Sequence, residues 1–179
     1  MKNSFWGDAA LYGAFLGLAE ILFTTLELAV PFTGLGLLHF AVFVALLVFF
    51  TKRRVRLCAS EETGYGYGEC LKYILAMSLF AGVLVGAYSA VAANFLFPEK
   101  YQAVIDQSLS VLSQTGVYTS DMLRQMQSML RRMIFSPVWA LFSNLFSYAF
   151  KGVFCGLIVA AFTKRDPQLF APDHSSDHE

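Results

Sequence analysis

Four long apolar stretches divide the 179-residue chain, at residues 9–30, 35–50, 71–97 and 138–162. A helix needs around 20 apolar residues to cross a hydrocarbon core, so each is long enough, or nearly so, to span a bilayer. Strands can satisfy their backbone groups in lipid only inside a closed barrel, and these runs are too continuous for that, so helices are the expectation. In the first stretch the apolar pattern is broken on one side. At about 100° per residue, Gly13, Gly17, Glu20, Thr24 and Glu27 fall within an arc of roughly 80°, a face that must look at protein rather than lipid. Pro31 to Gly34 makes the first two spans a tight helical hairpin.

Residues 98–133, between the third and fourth spans, alternate polar and apolar positions at helical spacing. Tyr101, Val104, Ile105, Leu109 and Leu112 form one stripe. After Gly116, Thr119 can cap a second helix with Met122, Met126, Met129, Leu130 and Met133 on its apolar face. The segment reads as an amphipathic helical hairpin at the membrane surface, with the methionines as adaptable packing rather than metal ligands. A lid, a partner-binding surface and plain packing remain open for it. Pro137 starts the last span. The expected fold is therefore all-α: a polytopic membrane protein, residues 1–165, built as a four-transmembrane-helix bundle with this hairpin, followed by a polar, aperiodic tail at 166–179 that reads as disordered.

Composition agrees with that class. The chain is 56% hydrophobic and 15% charged, too apolar for an ordinary soluble domain. Its formal net charge is zero, which argues against a nucleic-acid partner. The first span lacks a small-residue cleavage site, so it reads as retained, with the mature chain starting at Met1. Lys52, Arg53, Arg54 and Arg56 follow the second span, and Lys164 and Arg165 follow the fourth. By the positive-inside rule both termini and the middle loop are cytoplasmic, in a bacterial inner membrane, and the hairpin lies outside despite Arg124, Arg131 and Arg132. In Gly64-Tyr65-Gly66-Tyr67-Gly68-Glu69 the tyrosines read as headgroup-depth anchors, and no phosphate-binding pattern is present. Glu61, Glu62 and Glu69 read as solvated charges. Cys58, Cys70 and Cys155 have neither disulfide nor zinc spacing, so they are expected as free thiols.

Candidate chemistry lies inside the spans. Lys151 falls near the middle of the last span, at the depth of Glu20, so the two can pair. Glu27 and His39 flank the turn between the first two spans and can meet there. Asn144, Ser147 and Lys151 share a helix face, which suggests a seam running from Glu27 and His39 through Asn144 to Glu20 and Lys151, its two acids belonging to separate sites. Charges at the bilayer centre are costly unless paired or hydrated, which is why such residues face the bundle interior. Gly13 and Gly17, Gly82 and Gly86, and Gly152 and Gly156 form three small-xxx-small motifs, which permit close helix approach. No HExxH, GxSxG or comparable catalytic grouping occurs, so no enzyme, catalytic residue, cofactor or metal is expected.

The elements Tyr67-Gly68-Glu69, Phe97-Pro98-Glu99-Lys100-Tyr101, the methionine-rich helix leading to Ser136-Pro137, and the glycine pairs at Gly13 and Gly152 together resemble a family of small four-span bacterial membrane proteins. That family is a domain of unknown function of the DUF4199 type. The resemblance implies the architecture and no activity, with an association with membrane glycosyltransferases that use lipid-linked sugars as its hint. The leading expectation is a structural or accessory subunit whose partners are the lipid bilayer and either a membrane enzyme of that kind or further copies of itself. The alternative is a small proton- or ion-coupled transporter or channel subunit using Glu20 and Lys151.

Overall fold

The computed structural model describes residues 4–30, 34–59 and 64–165. Six α-helices follow one another: α1 (Phe5–Ala29), α2 (Leu35–Cys58), α3 (Tyr67–Val91), α4 (Pro98–Gln114), α5 (Ser120–Ile134) and α6 (Pro137–Thr163). α3 runs on into a π-helical turn at Ala92–Leu96. Residues 31–33 of the expected turn from Pro31 to Gly34, the acids Glu61 and Glu62, and the tail after Arg165 lie outside the described residues. By length and composition α1, α2, α3 with its π-turn, and α6 can each cross a membrane. The chain is an all-helical, multi-pass membrane protein, and α4 and α5 form the hairpin between the third and fourth spans.

Local chemistry explains the boundaries. The Ser4 side chain accepts the Gly7 N–H at 3.1 Å and starts α1 a turn earlier than its apolar run. Glu69, at the third position of α3, accepts the Gly66 N–H at 3.0 Å, so this acid caps a helix as well as meeting solvent. Thr119 accepts the Met122 N–H, as its spacing implied. Pro98 and Pro137 occupy first-turn positions, where the missing N–H costs nothing. Gly116 takes φ of +68° between α4 and α5, a left-handed value that glycine adopts without strain. α2 continues to Cys58, two turns past the expected end, for a reason that lies in Arg54.

α3 is the centre of the bundle and packs most extensively against α6 and α1; α2 closes the remaining side against α1 and α6. The glycine motifs make this arrangement possible. A Cβ on Gly13 would lie 2.6 Å from the Phe80 Cβ and 2.7 Å from the Met77 carbonyl oxygen, and one on Gly17 would meet Leu84 and Ala81. Gly82 and Gly86 abut Leu145, Tyr148 and Leu141, while Gly152 and Gly156 abut Ser78, Leu71 and Ile74. All six motif glycines are therefore used within the chain, where backbones replace side chains at the α1–α3 and α3–α6 seams. None of these motif faces is left over for a partner.

Ala9, Leu16, Phe43, Leu47, Ile74, Met77 and Ala81 are sealed between the spans. Many other large apolar side chains point outward, among them Leu22, Leu37, Phe40, Phe146, Phe154 and Phe162. That inside-out pattern suits a lipid surround. Overpacking a close seam costs about 1–3 kcal/mol. Gly152→Val should therefore lower the unfolding temperature in detergent clearly, whereas Gly36→Ala, where nothing lies within 4 Å, should leave it unchanged or raise it. Circular dichroism melts of the two variants check this.

Candidate functional site

Glu20 comes from the glycine-lined face of α1 and is 2% exposed. A carboxylate so buried requires partners, and three side chains from two other helices supply them. Tyr148 of α6 donates its phenolic O–H to Glu20 Oε2. Lys151, one turn further along α6, brings its Nζ to 3.8 Å from the same oxygen. His39, in the second turn of α2, places Nε2 3.0 Å from Glu20 Oε1, at ion-pair distance though without hydrogen-bond alignment.

His39 also turns its Nδ1 to Glu27 Oε1 at 3.0 Å, this time in hydrogen-bond geometry. Its ring lies nearly parallel to that of Phe23, with 5.2 Å between centroids. The two expected pairs are thus both present, but they are not separate. His39 joins them into one chain, Glu27 to His39 to Glu20 to Lys151, that runs from the open end of α1 to the middle of α6. The reason is geometric. Glu20 and Glu27 lie seven residues apart on one face of α1, about two turns, and an imidazole with a nitrogen on each side spans the gap.

Asn144 does not take part. Its amide donates to the Ala140 carbonyl one turn back on α6, at 2.8 Å, so the expected link through Asn144 is replaced by Tyr148. Ser147 lies on the exposed side of α6 and gives Lys151 no company. The lysine is instead flanked by rings, its Nζ 4.7 Å from the Tyr148 centroid and 5.5 Å from that of Phe43. Its side chain remains 40% exposed on the outer surface between α2 and α6. Tyr148 was legible in principle, since it precedes Lys151 by three residues and so shares its face.

A second buried charge pair sits at the other end of the bundle. Arg54 donates from Nη1 to Asp8 Oδ2, and both side chains are almost fully enclosed. The guanidinium also lies 6.0 Å from the Phe5 ring centroid and 5.8 Å from that of Tyr73. Arg54, which the sequence reading used only as part of the basic cluster that sets orientation, is thus drawn inside, and its pairing with Asp8 draws the last turns of α2 into the bundle and explains the length of that helix. Tyr65, expected as a headgroup anchor, is buried beside Arg54, and burial holds its phenol above the ordinary value. Its backbone pairs with Arg165, N–H to carbonyl in both directions at 2.7 and 3.0 Å. The start of α3 and the end of α6 are tied together there, so both basic clusters of the sequence share one end of the bundle.

Between the two charged layers, Leu16, Leu47 and Met77 are fully enclosed. Glu20 and Asp8 are separated by twelve residues of α1, about 18 Å along the axis. Ser78, Thr51 and Tyr73 carry buried oxygens without a hydrogen-bond partner among the described residues. Glu20, His39 and Glu27 are strung in a line rather than gathered round a point, and among the described residues no group of three His, Cys, Asp or Glu side chains is placed to hold a metal ion.

Removing one member of a buried ion pair strands the other charge, at a cost of about 3–5 kcal/mol, while replacing both by apolar groups is close to neutral. Asp8→Asn and Arg54→Met should each destabilise the protein strongly, and Asp8→Leu combined with Arg54→Met should recover most of the loss. Melting temperatures of the three variants in detergent check this.

No curated protein and no solved structure matches the chain. One family model does, over residues 11–165, a range that takes in the first span from Leu11 on, the other three spans, the α4–α5 hairpin and every member of the Glu27–His39–Glu20–Lys151 chain. The chain belongs to DUF4199, a family of proteins of unknown function.

Proposed function

We propose that the protein is a proton-carrying membrane subunit, part of a small transporter or channel, in which Glu27, His39, Glu20 and Lys151 move charge between one membrane face and the bilayer centre. The observation that carries this reading is His39 seated 3.0 Å from a carboxylate oxygen on each side. A neutral imidazole bears one N–H and one free nitrogen. If Glu27 arrives protonated, Nδ1 takes its proton while a small rotation of the ring lines the Nε2–H up with Glu20 Oε1 and passes that proton on; His39 ends as the other tautomer and Glu20 as the neutral acid. Between transfers the Glu20 carboxylate accepts from Tyr148 and lies beside Lys151. Glu27, 37% exposed at its side chain, is the entrance.

The chain of groups reaches only half way. Beyond Glu20 the enclosed Leu16, Leu47 and Met77 intervene, and Lys151 opens sideways between α2 and α6. A second copy of the chain at that opening completes the route. The basic clusters Lys52 to Arg56 and Lys164 with Arg165 support a cytoplasmic position for their end of the bundle in a bacterial cell; in this reading protons enter from outside. A second reading is favoured by the same half-exposed lysine: an accessory subunit clamped against a membrane enzyme, such as a glycosyltransferase that uses lipid-linked sugars.

Neutralising the central pair separates the two. Glu20→Gln with Lys151→Met removes both charges and should leave the fold intact. In proteoliposomes carrying an internal pH dye, the wild-type protein should acidify the lumen under an imposed proton gradient, and the double variant should lose at least about tenfold of that rate, equivalent to about 1.4 kcal/mol in the barrier. Equal rates for the two proteins would overturn the proton reading and leave the accessory one.

A further inference from the structure

The α4–α5 hairpin takes no part in the polar chain, and α5 is unusual within it. None of the α5 residues is buried, although Met122, Met126, Met129 and Met133 share one face. Asp106 of α4 accepts from Gln127 of α5 at 3.4 Å and holds the hairpin closed. The end of α5 is held independently. Asn94, within the π-turn of α3, donates to the Ala90 and Phe135 carbonyls at 2.9 and 3.2 Å, so the joint between α5 and α6 is anchored to the third span. π-Turns often mark functional places because they turn a side chain away from the regular ladder. Here the turn positions an amphipathic helix at the mouth of a membrane span.

At that joint lies a hollow of about 310 Å³ lined by Ser128, Met129, Arg132, Met133, Ser136 and Trp139. Its size is at the lower end of small-ligand pockets, roughly 300–1,000 Å³. The lining has two characters. Met129, Met133 and Trp139 offer an apolar wall, with Trp139 in the first turn of a spanning helix, the depth at which indole rings meet headgroups. Arg132 and two serines offer a polar rim. Among the described residues no acid pairs with Arg132, so its guanidinium can receive an oxyanion bidentately. Around the α5 axis Arg132 lies some 60–120° from the methionines, at the border of their face, while Arg131 and Arg124 point away from it.

We propose that this hollow binds an anionic phospholipid of the adjacent leaflet, the phosphate on Arg132 and the proximal acyl chain along Met129, Met133 and Trp139. Charge complementarity and position select this occupant. An unpaired guanidinium beside an apolar wall, at the first turn of a membrane span, matches a molecule that is anionic at one end and hydrocarbon at the other. The bound lipid then covers the α5 face that the protein leaves open, and α5 rests on the membrane surface with its arginine-rich side toward water.

Native mass spectrometry of the full-length protein released from mixed phosphatidylglycerol and phosphatidylcholine nanodiscs tests this. Wild type should retain phosphatidylglycerol in preference to phosphatidylcholine. Arg132→Gln should reduce that retention about fivefold, and Arg131→Gln, which removes the same charge from the opposite side of α5, should leave it near wild type. Equal losses in the two variants, or no loss in Arg132→Gln, would overturn the proposal. A second readout needs no variant: brominated phosphatidylglycerol should quench Trp139 more than brominated phosphatidylcholine in the Trp6→Phe background, and equal quenching would count against the site. Soluble glycerol phosphate should not displace the lipid; displacement would show that the hollow takes free phosphate esters and overturn the lipid assignment.

Discussion

Placing the Glu20 carboxylate inside a membrane bundle costs several kcal/mol unless other groups compensate it, and the upper half of this structure is arranged to do so. Three helices converge on one side chain: α6 contributes Tyr148 and Lys151, α2 contributes His39, and α1 carries the acid itself. α2 is less closely packed than the other three spans, although Phe43, Leu47, Phe50 and Val55 join the apolar core. Polar contacts at both ends add direction to its position, His39 with two carboxylates and Arg54 with Asp8. Such contacts are directional, so they specify rotation and depth where apolar packing against lipid-like side chains would not.

Close approach of backbones is the other half of the same solution. Gly13 and Gly17 let α1 sit against α3, and Gly82, Gly86, Gly152 and Gly156 bring α3 and α6 together. Gly82 lies against the Tyr148 Cβ at 3.0 Å, so the glycine that admits α6 also sets the position of the hydroxyl that reaches Glu20. Packing and electrostatics meet at that residue. The α1–α3–α6 core is held by close backbone contact, whereas α2 meets it through His39 and Arg54 at its two ends.

Much of this was legible in the residues. Span number, the hairpin after the third span, the caps at Thr119 and Pro137, and the inward face of α1 all follow from periodicity and small-residue spacing, which are local. Pairings between Glu27 and His39 and between Glu20 and Lys151 followed from depth along straight helices. What depth could not supply was rotation about each helix axis. It did not say that His39 reaches both acids, that Asn144 bonds to Ala140 on its own helix, or that Tyr148 points at Glu20. Arg54 was hidden for a different reason: within a basic cluster it served only to set orientation, and its partner Asp8 stands outside the apolar run of α1, so neither signals burial. Tyr65, read as a headgroup anchor, is buried beside Arg54.

The central claim is that His39 links the two acids of α1 into one unit inside the bilayer. Solid-state NMR of the protein in lipid, with nitrogen-15 in the histidine ring and carbon-13 in the glutamate carboxyl groups, measures this directly. The structure requires both His39 nitrogens to lie at contact distance from a carboxyl carbon, one signal vanishing in Glu20→Gln labelled only at glutamate and the other in Glu27→Gln. A His39 ring with one nitrogen facing only water or lipid would contradict it.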